Sequence, residues 1–391
     1  MIHPEQIAKQ PEDVGVDSAA LEALFARAER DVKEGILPSA QVAVAREGKV
    51  AAIRTFGSAV QGGAERPATD RTLYCIYSST KGIVSVAAWL LMEEDLLRLD
   101  EKVADIIPEF GTNGKEAITV EQLVTHTSGF PFAPLGPDHW NERAGRLDAF
   151  SRWRLNWEPG SRFEYHATSV HWVVAEIIER RTGIGYRDFI RRRLTGPMQL
   201  DELFVGLPPE FDDRVAEVRQ MVPPVEPPGG WGEVTPEALL AFNQPEYRRV
   251  GVPGGGGITS AAELALFYQP LVNGGETANG KRILKEETIR RATKVLTAAR
   301  HTDPILKMPV NRAVGVVVAG DDGQSHLRGF GRTTSPVAFG HGGAGGQVAW
   351  GDPKTGISVG YCTNGFADWL VAGRRVTAIS SLAAKCTIPG A

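Results

Sequence analysis

The chain holds only three cysteines in 391 residues, Cys75, Cys362 and Cys386. An odd number of widely spaced cysteines makes no disulfide framework and no Cys-x-x-Cys metal or redox pair, so reduced, buried thiols are expected. Long apolar runs are also lacking. The longest, residues 82–92, falls well short of the roughly 20 residues that span a bilayer, and no membrane segment is expected. The N-terminus, Met1-Ile2-His3-Pro4-Glu5-Gln6, lacks the basic start, apolar stretch and small-residue cleavage site of a secretory signal. A cytoplasmic location follows as an expectation. No block of five or six like charges occurs, and the net charge is −4 with both signs scattered. Without a basic footprint for phosphate, nucleic acid is not expected as a partner. Among the histidines, His126, His166 and His171 form no HExxH or other close ligand array, so neither a metal nor another cofactor is implied.

What is present is an ordinary globular composition, 42% hydrophobic and 23% charged, which rules out disordered and collagen-like chains. Asp17 can cap a helix carrying Leu21, Leu24, Phe25, Ala28 and Val32 at helical spacing and ending before Gly35. Residues 40–46 and 49–56, joined at Glu47-Gly48, read as a β-hairpin. The middle of the chain reads as helical, with a capping box at Thr119-Val120-Glu121-Gln122 and an amphipathic stretch over residues 170–181 that Gly183 stops. Residues 205–234, with Pro208, Pro209, Pro223, Pro224, Pro227 and Pro228, read as an ordered surface loop. Ser260 opens another capped helix. Strand-like runs return at residues 314–319, 347–350 and 357–363, and a last helix covers residues 367–384. Strands at both ends predict an α/β fold, an antiparallel sheet flanked by helices with an all-α insertion. Residues 1–100 and 250–391 are expected to build the α/β domain, and residues 101–249 a helical domain with the long Pro-rich loop.

Ser78-Ser79-Thr80-Lys81 is an S-x-x-K motif. On a helix, positions three apart share a face, so Lys81 is expected one turn from the Ser78 hydroxyl. A serine needs a base to act as a nucleophile, and a lysine desolvated in a pocket is one solution. The following residues, 82–92, are apolar almost all round, which predicts a buried helix holding its first turn rigidly.

The surroundings of this motif resemble the superfamily of serine β-lactamases, penicillin-binding proteins and family VIII carboxylesterases, over nearly the whole chain. Leu97-Arg98-Leu99-Asp100-Glu101-Lys102-Val103 and Ile106-Ile107-Pro108-Glu109-Phe110 are similar to its L-x-L-D-x-x-V and I-x-P-x-F segments. Leu123-Val124-Thr125-His126-Thr127-Ser128-Gly129 is similar to its L-L-x-H-T-S-G segment. The family's second catalytic motif, a tyrosine often followed two positions on by asparagine, resembles Tyr165-His166-Ala167. Its Lys-Thr-Gly motif is replaced by His341-Gly342-Gly343, followed by Ala344.

The resemblance implies a β-lactamase/transpeptidase-like fold and a catalytic Ser78, Lys81 and Tyr165. The backbone amides of Ser78 and Ala344 would form the oxyanion hole. His341, Gly342, Gly343 and Trp231 are candidates for substrate binding, and Phe130, Phe132 and Trp140 lie in segments able to line a pocket. A tyrosine beside an ammonium loses its proton more easily, so Tyr165 would take the Ser78 proton and return it to the leaving group. Two further motifs are read as structural. Lys354-Thr355-Gly356 follows Asp352-Pro353 in a turn between strands. Gly356-Ile357-Ser358-Val359-Gly360 alternates like a strand and has no histidine after it, unlike a nucleophile elbow.

The activity expected first is hydrolysis of small carboxylic esters through an acyl-enzyme on Ser78. A β-lactamase or peptidase using the same nucleophile is the alternative. It is opposed by Ala167 at the amide-binding asparagine position and His341 at the carboxylate-binding lysine position. An acyltransferase remains a third outcome, and a non-catalytic binding module would predict damage to Ser78, Lys81 or Tyr165.

Overall fold

The computed structural model describes residues 2–226, 230, 234–297, 300–388 and 390; Trp231, a candidate pocket residue, lies outside them. Asp17 caps helix α1, Ser18–Lys33, by accepting from the Ala20 amide. Strands β1, Ser39–Arg46, and β2, Lys49–Gln61, form the hairpin. Glu47 and Gly48 take φ of 54° and 75°, the paired left-handed conformation of a two-residue hairpin turn. Strand β3, Ala64–Pro67, adds to the outer edge of β2.

The main sheet closes through the C-terminal part of the chain. Strands β8, Val317–Val318, β9, Phe339–Gly340, β10, Val348–Asp352, and β11, Ile357–Thr363, continue it in the order β3-β2-β1-β11-β10-β9-β8, with every neighbour antiparallel. Val42 of β1 faces Tyr361 of β11 across the join between the two ends of the chain. Successive β1 residues serve opposite faces. Val42 and Val44 pack with Leu24 and Phe25 of α1 and with Ile379 of the helix Trp369–Ala383. Ala43 and Ala45 join the core of α2, Thr80–Glu93, and the helix Ala261–Val272. Burial on both faces explains why β1 reads as an unbroken run rather than an alternating one.

The Gly-x-Ser-x-Gly segment is part of this packing. Ser358 is fully buried on β11, donating to the Ala265 carbonyl at 2.7 Å and accepting from Gln269 at 2.7 Å. A Cβ at Gly360 would stand 2.1 Å from the Ala261 carbonyl oxygen, so the helix rests directly on this strand. Lys354-Thr355-Gly356 forms the turn between β10 and β11, with Gly356 at φ 70°.

The expected strand at residues 314–319 shortens to Val317–Val318, because Gly315 turns left-handed at φ 71°. Its carbonyl accepts from the Ser85 hydroxyl at 3.3 Å. The helix after the capping box is also brief, Val120–Val124, and His126 follows at φ 60°. Residues 169–182 form the expected helix, ended by Gly183 at φ 70°. A second sheet sets β7, Gly257–Thr259, between β4, Tyr74–Tyr77, and β5, Phe204–Val205. Strand β6, Arg219–Gln220, pairs with β12, Gly365–Phe366. All three cysteines are free and buried. No helix among the described residues is long and apolar enough to cross a membrane.

Candidate active site

The site is assembled where β4 runs into α2. Tyr77, the last residue of β4, takes φ 45°, a left-handed conformation costly for a large side chain. Its hydroxyl donates to the Leu239 carbonyl at 3.0 Å, and its ring meets Phe242 and Phe366 edge-on. The Thr80 hydroxyl donates to the Tyr77 carbonyl at 2.6 Å and accepts the Gly257 amide at 2.8 Å. Together these contacts hold the sharp turn.

Ser78 lies in that turn rather than on the helix, which begins at Thr80. This corrects the expectation of a shared helix face, and the left-handed Tyr77 is the reason. Proximity survives because the Lys81 amide still donates to the Ser78 carbonyl at 3.0 Å. The Lys81 side chain is fully buried, and its Nζ donates to Ser78 Oγ at 3.2 Å and to the Gly254 carbonyl at 2.5 Å. Gly254 fits closely there, since a Cβ would come within 3.2 Å of the Ala167 carbonyl oxygen, a tight contact, and 3.5 Å of Lys81 Nζ.

Tyr165 is presented by a pinned loop. The flanking His166 accepts the Phe130 amide at Nε2, 3.1 Å, and donates from Nδ1 to the Glu164 carbonyl, 2.7 Å. The His166 amide in turn donates to Nδ1 of His126 at 3.1 Å. These two histidines therefore act as struts between residues 126–130 and 164–166. The Tyr165 ring centroid lies 5.2 Å from Lys81 Nζ and 5.3 Å from the Arg312 guanidinium carbon. Burial pushes the phenol pKa up, but the Lys81 and Arg312 cations and contacts with Ser78 and Lys81 outweigh it, leaving it below the ordinary value.

His341 has both ring nitrogens engaged. Nδ1 donates to the Gly342 carbonyl at 2.8 Å, and Nε2 accepts from Arg312 at 3.2 Å. Burial, then the Arg312 and Lys81 charges, hold its pKa well below the ordinary range, so the ring is neutral and its tautomer set. Gly342 is exposed. At Gly343 a Cβ would fall 2.2 Å from the Ile76 carbonyl oxygen, so only glycine lets this segment lie against β4. Ala344 follows, and neither its amide nor that of Ser78 donates to a protein acceptor among the described residues.

The Beta-lactamase family model matches residues 24–381. The chain belongs to the Beta-lactamase family. It is 27% identical over 307 residues to "Esterase/beta-lactamase LipL" of Mycobacterium tuberculosis, covering 72% of this chain and 67% of that protein. It is 24% identical to a putative D-alanyl-D-alanine carboxypeptidase of Escherichia coli, over 93% of this chain and 86% of that one. Among solved structures, a penicillin-binding protein homologue from Caulobacter crescentus superposes with a TM-score of 0.77 at 28% identity, covering 94% of this chain and 99% of the other. A family VIII carboxylesterase shares the fold at a TM-score of 0.77 and 24% identity, with the same coverage. The protein is thus a serine hydrolase of the Beta-lactamase family, and the expected fold is the observed one.

Within this Beta-lactamase family member, Ser78 opens onto a cavity of about 500 Å³ lined by Trp140, Trp172, Tyr247, Phe242, Leu239 and Ala344. Of the aromatic candidates, Trp140 lines it. Phe130 is instead packed in the core between Phe110 and Trp153, and Phe132 is half exposed. Arg312 carries no signal in the sequence, for no motif surrounds it and only the tertiary fold brings it to Tyr165 and His341.

Proposed function

We propose that this protein is a serine esterase acting on small carboxylic esters. The observation that carries the reading is the 3.2 Å contact from Lys81 Nζ to Ser78 Oγ, with Tyr165 beside both and its phenol acidified. With Lys81 as the ammonium, the base is Tyr165. Ser78 Oγ attacks the ester carbonyl carbon while its proton passes to Tyr165. The oxyanion is received by the unengaged amides of Ser78 and Ala344. Collapse breaks the bond to the alcohol oxygen, which takes the proton from Tyr165 and leaves. Water then attacks the acyl-enzyme with Tyr165 again as base, and Ser78 regains its proton. An apolar cavity next to Ser78 suits an uncharged acyl chain, and the name of the Mycobacterium relative gives esterase beside β-lactamase. On this reading the site lies between the two proposed domains, residues 1–100 with 250–391 and residues 101–249.

One observation favours a second reading. Arg312 forms no ion pair with a carboxylate among the described residues and sits beside His341, where the sequence alone offered no strong cation. It would suit the carboxylate of a lactam or peptide, in line with the name of the Escherichia relative. Hydrolysis of p-nitrophenyl butyrate, nitrocefin and a D-alanyl-D-alanine peptide, each with a Ser78→Ala control, separates the two. The esterase reading expects the ester to have the highest kcat/KM; a lactam or peptide that exceeds it overturns that reading.

A further inference from the structure

We infer that the cavity beside Ser78 is an acyl-group site for a bulky, uncharged aromatic acyl chain. The inference rests on the esterase reading for its direction. Tyr165 gives its proton to the departing alcohol, so the alcohol lies on the side of Tyr165, His341 and Arg312. The cavity is walled by Ser78 and Ala344 but by none of those three. An ester whose carbonyl oxygen sits on the Ser78 and Ala344 amides must therefore direct its acyl group into the cavity.

The chemistry of the walls selects that group. Trp140 meets Tyr247 edge-on at 5.3 Å between ring centroids, and Trp172 lies 6.4 Å from Trp140. These rings give the faces and edges that an aromatic guest pairs with. Two of the polar tips nearby are spent within the protein: Trp140 Nε1 donates to the Leu135 carbonyl at 2.9 Å, and the Tyr77 hydroxyl to Leu239 at 3.0 Å. An anionic acyl group would be desolvated with no cation among the described lining residues to compensate it. Among the described lining residues, Glu237 is the charged one, and it is exposed. The space is also larger than an acetyl group fills, and it lies in the range of sites for drug-sized ligands. Ala167 also lines the cavity, and its methyl adds no polar group to the wall.

Boronic acids test the site without any turnover. The Ser78 oxygen adds to boron, its proton goes to the base, and the tetrahedral adduct places the boron substituent where an acyl group would lie. Titrations of the full chain with methylboronic acid and 2-phenylethylboronic acid, followed by tryptophan fluorescence, give both affinities. Burying the phenyl group should favour the second by at least about 30-fold. Ala238→Trp, which narrows the cavity from an exposed wall position, should reduce that ratio, and Ala167→Leu offers a second way to narrow it. Equal affinities, tighter methylboronic acid, or no Ser78-dependent binding of either overturns the inference. Turnover of p-nitrophenyl acetate and phenylacetate is measured alongside. Aryl preference among the boronates with neither ester hydrolysed supports the acyl site while removing the esterase reading. Ester hydrolysis without aryl preference in either assay removes the acyl site alone.

Discussion

Arg312 donates to Nε2 of His341 at 3.2 Å while its guanidinium carbon stands 5.3 Å from the centre of the Tyr165 ring. The histidine cannot share the charge, because its Nε2 is an acceptor here and burial keeps the ring neutral. The full cation therefore acts on the phenol together with Lys81. A phenolate base needs Tyr165 deprotonated, so activity should fall on the acid side as that group gains a proton. Removing a cation raises the pKa of a neighbouring acid. Arg312→Met is thus expected to move the acid limb of the kcat/KM profile to higher pH for a neutral ester. An unmoved limb in a folded variant would count against phenolate catalysis aided by Arg312.

Ser78, Lys81 and Tyr165 share one proton path, which predicts strongly non-additive losses. Lys81→Ala and Tyr165→Phe should each lower kcat by about 10³-fold, with the double variant little worse. Additive losses in stopped-flow acylation rates would separate the two residues. Intact mass after a fluorophosphonate probe should show one adduct, absent in Ser78→Ala; an adduct that maps to Ser358 would contradict that residue's burial.

How much of this was legible beforehand follows from which interactions are local. The α1 cap at Asp17, the Glu47-Gly48 turn and the stop at Gly183 each depend on a few adjacent residues, and each appears where the sequence puts it. Ser78, Lys81 and Tyr165 carry motif context, so they could be named, although the position of Ser78 ahead of the helix could not. That detail goes with the left-handed Tyr77, whose side chain is held by Leu239, Phe242 and Phe366, all distant in sequence. Arg312 escaped notice for the same reason. Aromatic residues were a poor guide, since Phe130 and Trp140 look alike in sequence and only packing sends one to the core and the other to the cavity.

Gly343 ties folding to catalysis. Its missing side chain lets the segment ahead of Ala344 pass against Ile76, so Gly343→Ala should push the Ala344 amide away from Ser78. Loss of one oxyanion donor predicts a fall in kcat of about 10²-fold or more, beyond any change in thermal stability. Gly373→Ala, where a Cβ meets nothing within 4 Å, is the control and should leave kcat unchanged. Equal behaviour of the two variants would deny the amide this role.

Stability should peak near neutral pH for reasons that pull in opposite directions. Burial lowers the pKa values of His126, His166, His171 and His341, that of His166 to about 3. The unfolded chain therefore binds more protons than the folded one once pH drops through the ordinary histidine range, and stability is lost toward acid. Glu263 acts the other way. Its carboxyl is buried, accepts only the Glu202 amide among the described hydrogen bonds, at 3.0 and 2.9 Å, and is pushed up to about 8. Between the carboxylate range and pH 8 the folded state holds this proton while the unfolded state releases it, so stability falls as pH rises toward 8. Below pH 6 the several histidines outnumber the single carboxyl, and the acid slope wins. Glu263→Gln keeps an amide oxygen for Glu202 and removes the titration. It should therefore raise the Tm relative to the parent more at pH 8 than at pH 6, and leave the acid slope intact. Parallel Tm curves for parent and variant across pH 6–8 would show that Glu263 is ionised in the folded protein, against its burial.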